Sequence, residues 1–470
     1  MLIFLKYILH RHDNHVKGSD CLDGAFKIIP ISEDSPCLML NPKQSKLLDE
    51  TMRKTTIHFG LQKIKVACKQ LNTLKKNEIG LSTTVIENLQ IPLEVDYEVS
   101  IQNGEIIIGP FIGILLANSR VILENKLKKL KYIKQSSLVS GSVIAFSWEG
   151  IDQKSSKIIG YIYNPSSKKW EEGTFPFPAV IVRRTALSIK RKKYLKNLYG
   201  SRFFHLASVN KWKMYRRLSS NKDLIPHLPK TFLYKKPEDI LKYLKSFRTI
   251  YVKPLSGLQG IRIKKFIAEG DHYCVKYRRN QENNTINFSS DTELLNYVKS
   301  KFKSKRYIIQ QQIDLEIEKN HSIDFRIALI KNQSGKWEDV GMVGRKGIKG
   351  SVVSNLSNGG KVKRAQTIFL KSLHLSKDEA LSIRQKMSEI AIKAAEEIDK
   401  YDTIFKSGVD IAIDRHHHIW LIELNNRTPG FASFSKVGLK STIIKVSNSR
   451  MLYAKYLAGF PKEKENMGSE

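Results

Sequence analysis

Cysteine is nearly absent from this chain of 470 residues: Cys21, Cys37, Cys68 and Cys274 are the only four, with no C-x-x-C pair. That spacing excludes a disulfide-dense scaffold and favours a reducing compartment. Long apolar runs are missing as well, and no stretch approaches the roughly 18 apolar residues of a membrane span. The apolar start MLIFLKYILHRHDNH is interrupted by Lys6 and is followed by no small-residue cleavage site, so it reads as a strand or short helix and not as a signal peptide. A soluble, cytoplasmic protein is the resulting expectation. Acidic residues are under-represented: 45 Asp and Glu stand against 80 Lys and Arg, a net charge of +35. An excess of that size points to an anionic partner or surface, with nucleic acid, phosphorylated ligands, acidic polypeptide and acidic lipid all open. The densest basic run, RRTALSIKRKKYLKNLYGSR, has few aromatics interleaved. It therefore suits a solvated helix face or linker better than a nucleic-acid groove. A Walker phosphate loop is missing, and no Ser-His-Asp or Cys-His set stands out.

What is present divides the chain. A length of 470 residues allows two or three domains. Residues 1–55 carry no strong periodicity, and ISEDSPCLMLNPKQSK reads as turns and loop. Residues 56–104 alternate short β-like runs with polar breaks, and Asn103-Gly104 marks a hairpin turn. Residues 105–204 open on IIIGPFIGILLAN, a buried strand running into a glycine-rich loop as in an α/β unit. Residues 205–470 form the last division. There KPEDILKYLKSF predicts a helix with Pro237 near its start and Ile240, Leu241, Leu244 and Phe247 on one face. SKDEALSIRQKMSEIAIKAAEEI predicts a scaffold helix opened by a Ser376–Glu379 capping box.

The stretch GVDIAIDRHHHIWLIELNN, residues 408–426, reads as two apolar strands, yet it carries Asp410, Glu423 and Asn425. A turn centred between His416 and His417 pairs residues whose numbers add to 833, which sets Asp410 opposite Glu423. Cross-strand partners hold their Cβ atoms about 5 Å apart, and alternation puts Asn425 on the face of Glu423. Two carboxylates at that distance repel by about 3 kcal/mol at an effective dielectric near 20, so a cation is expected between them. Mg²⁺ suits such oxygen donors and commonly completes its shell with substrate phosphates. The three consecutive histidines alternate in direction at the turn and do not converge as zinc ligands must.

Further upstream, Lys253 ends a strand and precedes PLSGLQG, where Gly257 and Gly260 let backbone N–H groups approach an anion. YIIQQQIDLEIEKNHSIDFRIALI then runs a strand into Gln310, Gln311, Gln312 and Ile313, whose backbone can hydrogen-bond adenine. Asp324 and Arg326 follow two apart on one side of a strand, where a plain salt-bridged pair is the simpler reading. Arg345 suits bidentate phosphate or carboxylate contact, and Asn355 precedes paired glycines at 359 and 360.

In this order the pieces resemble the ATP-grasp superfamily. HLASVNKWKMYRRL, LPKTFLY, VKPLSGLQG, DFRIALIKNQSGKWE, SNLSNGGKV and GVDIAIDRHHHIWLIELNNRTPG are similar to the YheC/YheD family of endospore coat-associated ATP-grasp proteins, over roughly residues 200–460. The resemblance implies an α/β and α+β protein whose C-terminal ATP-grasp fold, two α+β subdomains holding ATP, follows a small β-rich region and an α/β pre-ATP-grasp domain. It implies that Lys211 and Lys253 contact the ATP phosphates, that the loop Ser256, Gly257 to Gly260 covers them, and that Gln311, Gln312 and Ile313 offer backbone to adenine. It assigns Asp410, Glu423 and Asn425 to magnesium, Arg326 and Arg345 to the γ-phosphate or the substrate carboxylate, and Asn355 to the same pocket. Leu258 and Gln259 depart from the glycine or serine that many ATP-grasp loops carry there.

The chemistry so implied is an ATP- and Mg²⁺-dependent carboxylate ligase. A carboxylate attacks the γ-phosphate, and a nucleophile then opens the acylphosphate, so the protein's task is positioning and charge neutralisation. A peptide or acidic polymer is a candidate substrate, and spore coat proteins are candidate partners, with neither donor nor acceptor identified. Two other readings stand beside it: a non-catalytic ATP-binding coat or scaffold protein and, less favoured, a basic nucleic-acid-binding protein.

Overall fold

The computed structural model describes residues 19–46, 53–128, 138–204, 209–257, 262–279, 282–302, 306–318, 321–348, 360–426 and 430–461. Two compact units divide the chain. The first takes residues 1–205, 331–336 and 448–470, and the second takes 206–330 and 337–447. The cut at 205/206 lies one residue from the boundary expected at 204/205, while the C-terminal 23 residues join the first unit and not the second. The start of the chain, expected as strand or short helix, lies outside the described residues.

In the first unit, seven strands close a barrel: Ser19–Ile31, Glu78–Ser82, Cys37–Leu40, Gln62–Gln70, Lys54–Phe59, Glu105–Gly109 and Tyr97–Gln102, in that spatial order. Two of them come from the segment that carries no periodic signal. CLML was expected as loop but is a strand with all four residues buried, too short for alternation to show. The following Asn41 caps the short helix Pro42–Ser45 through a capping box with Gln44. The Asn103-Gly104 turn is as expected, with φ of 51° and 73° at the two residues, values that suit a tight hairpin. Phe59 stacks on Phe111 at 4.7 Å and meets Tyr97 edge-on at 5.7 Å. A second sheet of this unit runs Lys169–Pro176, Lys157–Asn164, Ser142–Asp152, Phe111–Ala117, Val180–Arg183, Phe203–Phe204. The basic run forms the helix Ile189–Tyr199, capped by Ser188, with Leu195 and Tyr199 buried.

The second unit holds two sheets. One runs Thr231–Leu233, Tyr307–Gln311, Thr249–Pro254, Lys264–Glu269, His272–Arg279, Glu282–Phe288. One face of it buries Ile250, Val252, Phe266 and Val275 against Ile240, Leu241 and Leu244 of the helix Glu238–Phe247 and Leu294 and Val298 of the helix Asp291–Lys301. The other runs Lys361–Arg364, Trp337–Lys346, His321–Lys331, Lys406–Ile413, Ile419–Asn425, with Glu316–Glu318 paired to His321–Lys331. The helix Lys377–Asp399 covers it, opened by the Ser376–Glu379 capping box and burying Met387, Ala391, Ala394 and Ile398. Gln312 to Leu315 link the two sheets. Among the described residues no helix is long and apolar enough to cross a membrane.

Leu38 is 1% exposed within the barrel core. Its truncation to alanine is expected to cost about 2–5 kcal/mol, read from urea denaturation. A loss under 0.5 kcal/mol would mean that the Cys37–Leu40 strand is not part of the folded barrel.

Candidate ATP site

The hairpin places Asp410 opposite Glu423, as the residue arithmetic requires, but by another route. From Ile413↔Ile419 to Ile411↔Leu421 the pairs sum to 832; a bulge then shifts the register, and from Asp410↔Glu423 to Gly408↔Asn425 they sum to 833. The turn is therefore half a residue from where it was expected, and the bulge compensates. Asp414 holds the turn by accepting from the N–H groups of His416 and His418 at 2.9 and 3.0 Å and from Trp420 Nε1 at 2.9 Å. His416 and His417 are exposed.

Each of the two acids has cationic side chains of its own, Arg326 and Arg345 at Asp410 and Lys211 at Glu423. The pair is thus not strained in the way two facing carboxylates alone would be. Arg326 lies opposite Asp410 on the neighbouring strand and grips it through Nε and through Nη2, the latter at 2.9 Å. Arg345 Nη2 approaches Asp410 Oδ1 at 3.0 Å, and Arg345 also donates to Asp324 through Nε at 2.7 Å and Nη2 at 2.5 Å. Asp324 and Arg326 thus each take a partner on an adjacent strand, Arg345 and Asp410 respectively. Asn425 Nδ2 donates to Asp410 Oδ2 at 3.3 Å. Burial would raise the Asp410 carboxyl, but Arg326 and Arg345 outweigh it and hold the group below the ordinary carboxylate range. Burial likewise opposes the charge on Arg345, yet Asp324 and Asp410 hold that guanidinium above its usual value.

Glu423 has a different partner. Lys211, the first residue of the helix Lys211–Leu218, reaches Glu423 Oε1 at 2.5 Å. Asn210 caps that helix by accepting from Lys213 N at 2.9 Å, and Lys211 N donates to Leu255 O at 3.0 Å. The helix start is therefore tied to the segment just after Lys253. Lys253 ends the strand Thr249–Pro254, donates to Gln310 Oε1 at 2.5 Å, and stands 5.4 Å from the centre of the Tyr251 ring. Burial of its ammonium, followed by the nearby Lys211, pushes its pKa down to about 8, while Glu423 pulls the other way. Lys211, Lys253, Arg326 and Arg345 thus face three carboxylates, Asp324, Asp410 and Glu423, and the cluster as a whole is cationic.

Gln310, named from sequence only as part of the strand end, acts here through its side chain. It is buried, and its Nε2 donates to Thr231 Oγ1 at 2.9 Å, which in turn donates to Pro229 O at 2.8 Å. Alternation separates the three glutamines: Gln310 lies in register with Tyr251, on the face of Lys253, and Gln311 with Ile250. The N–H groups of Gln311 and Gln312 are taken by Lys230 O at 2.9 Å and Thr249 O at 3.3 Å. Gln312 Oε1 is buried without a hydrogen-bond partner, and Ile313 follows in the link between the sheets. Ser256 and Gly257 are exposed. Gly260 and Asn355 lie outside the described residues.

Two adjoining sheets with lysines and paired carboxylates at their meeting point are the architecture of an ATP-grasp protein. The family model for YheC/D-like ATP-grasp proteins matches residues 200–457, and the chain belongs to that family. It is 26% identical over 394 residues to the endospore coat-associated protein YheD of Bacillus subtilis strain 168, covering 80% of this chain and 85% of that one. To YheC of the same organism it is 23% identical over 313 residues, covering 63% and 82%. Among solved structures, D-alanyl-alanine synthetase A of Vibrio cholerae is 13% identical at a TM-score of 0.36, covering 73% of this chain and 98% of that one. At that level of likeness the family match carries the assignment.

The two ion pairs differ in burial. Asp324 and Arg345 are 5% and 6% exposed, whereas Glu423 and Lys211 are 33% and 19% exposed. Asp324→Ala leaves a buried guanidinium short of a partner and is expected to cost about 3–5 kcal/mol. Glu423→Gln, at the wetter pair, is expected to cost about 1 kcal/mol or less. Equal losses in urea denaturation would contradict this division.

Proposed function

We propose that this protein is an ATP- and Mg²⁺-dependent carboxylate ligase of ATP-grasp type that acts through an acylphosphate in association with the spore coat. The observation that carries the reading is the convergence of Lys211, Lys253 and the opposed pair Asp410 and Glu423 in one net-cationic cluster. The family supplies an ATP-dependent ligase fold, and the coat association is taken from the names of the two relatives.

The donor set fits a hard divalent cation. The two carboxylates present oxygen only, and Asn425, whose Nδ2 donates to Asp410, keeps its Oδ1 as an acceptor. Asp410, Glu423 and Asn425 would hold Mg²⁺, which when bound draws charge off the phosphate oxygens. Lys253 and Lys211 neutralise the triphosphate, with Ser256 and Gly257 following Lys253 in the chain. The unpartnered Gln312 Oε1 suits the amino group of adenine, beside the backbone of Ile313. Arg326 and Arg345 keep Asp410 ionised and, as the resemblance assigns them, meet the γ-phosphate or the substrate carboxylate. The substrate carboxylate attacks the γ-phosphorus, ADP leaves, and an incoming nucleophile displaces phosphate from the acyl carbon.

With Mg²⁺, ATP and pooled amino acids and peptides, substrate-dependent release of ADP is expected. AMP in its place would indicate an adenylate route, and no nucleotide turnover with any substrate would leave the non-catalytic coat or scaffold reading. The depressed pKa of Lys253 adds a pH test. Below about 8 the ammonium is charged and ATP binds; as pH rises through 8 that charge is lost, and ATP affinity is expected to fall about tenfold by pH 9.5, for a loss of roughly 1.5–3 kcal/mol in a charge-assisted bond. The group also makes stability rise with pH between about 8 and its unfolded value near 10.4, because over that window the unfolded chain binds the extra proton. Lys253→Met should bind ATP weakly at every pH. Calorimetry that shows the same alkaline fall in the mutant would assign it to another group.

A further inference from the structure

The sheet that carries Lys253 buries one face. Val252, Phe266 and Val275 point into its core, so alternation sends Tyr251, Lys253, Lys265, Lys276 and Arg278 to the other face. Register aligns Gln310, Tyr251, Lys265, Lys276 and Thr285 in one row across five strands. Lys265 and Lys276 are therefore direct cross-strand neighbours, with Cβ atoms about 5 Å apart. Arg278 stands next on the same strand and face as Lys276, and its Nε is buried without a hydrogen-bond partner. Glu269, at the strand end opposite His272, is the one carboxylate that this face carries on these strands among the described residues.

The row starts beside the lysine of the phosphate site, with Lys253 over the Tyr251 ring, and leads away from it. From Tyr251 to Thr285 it crosses three strand spacings, about 14 Å at roughly 4.8 Å each, the length of about four residues of extended chain. It ends on Glu282–Phe288, the last strand of the sheet among the described residues, where Asn283, Thr285 and Asn287 share the same face and are exposed. A terminal strand has one side of its backbone ladder open to a further chain. Point-charge ammonium groups beside amides, a hydroxyl and an open backbone edge suit carboxylates on a polypeptide. Nucleic acid is served less well, because Tyr251 is the only aromatic on this row and stacking platforms are otherwise missing from it.

We propose that this face binds an acidic polypeptide segment and so delivers the ligase its substrate chain. The proposal rests on the ligase reading for its role, but binding can be measured without turnover. Fluorescent poly-L-glutamate of about 20 residues is expected to bind the full-length protein at low salt, and the double variant Lys265→Glu, Lys276→Glu to bind it at least about tenfold more weakly. Lys276→Gln, a neutral change at an exposed site, should weaken it about threefold, which guards against misfolding as the cause. Charge reversal of the exposed Lys192 and Lys193, on the helix Ile189–Tyr199, should change it less than twofold, and Mg²⁺·ATP affinity should hold in every variant. Equal weakening by the two double reversals would reduce the effect to net charge and overturn the proposal. So would undetectable binding, or a DNA oligonucleotide of equal charge that displaces the peptide and is lost with the same two lysines. Failure to release ADP, with peptide binding intact, would count against the ligase reading alone.

Discussion

Everything at the candidate site depends on keeping Asp410 ionised inside the protein. A carboxylate with little exposure is costly to charge unless it is paired and hydrogen-bonded, and here two guanidiniums and an amide do that at once. Arg345 is itself buried and tolerates the position only because Asp324 takes its other N–H groups. The chain of alternating charge across three neighbouring strands, Asp324 with Arg345 and Asp410 with Arg326, is a scaffold for one carboxylate. Removing any member leaves an uncompensated charge, which is the expensive case.

The more exposed half of the site works differently. Lys211 and Glu423 hold each other at the helix start, and Lys253 is anchored by a relay through Gln310 and Thr231 to the Pro229 carbonyl. One half is thus locked by buried ion pairs, and the other holds Lys211 in a wetter pair beside the buried ammonium of Lys253. That contrast suits the proposed role, in which one carboxylate stays fixed while a charged nucleotide comes and goes.

Much of this was legible in the sequence. Two acids at alternating positions of an otherwise apolar hairpin stand out because strand interiors seldom carry them, and period-2 alternation places Asn425 with Glu423 without further information. The helices at 238–247 and 377–399 announce themselves through proline, a capping box and apolar spacing. The bulge was not legible: it inserts a residue without changing composition, and only its compensation by a displaced turn left the pairing as expected. The identity of the cations was hidden as well. Alternation says that Arg326 shares a face with Asp324 but not that each turns to a neighbouring strand, since that depends on strand order, which is a long-range property. The same holds for CLML, a strand only because a barrel closes around it, and for Gln310, whose place opposite Tyr251 needs the register of a distant strand.

The central claim is that Asp410 and Glu423 form a metal-dependent nucleotide site as well as an internal charge network. Thermal unfolding of the parent and of Glu423→Gln, with and without Mg²⁺·ATP at about 100 times the dissociation constant of the parent, tests it most directly. The parent is expected to gain about 2.7 kcal/mol from the nucleotide, with ATP alone giving less, and the variant to lose most of that gain while its ligand-free stability falls by about 1 kcal/mol or less. A variant that keeps the full nucleotide-induced gain would show that Glu423 serves the fold through Lys211 and has no part in holding the metal.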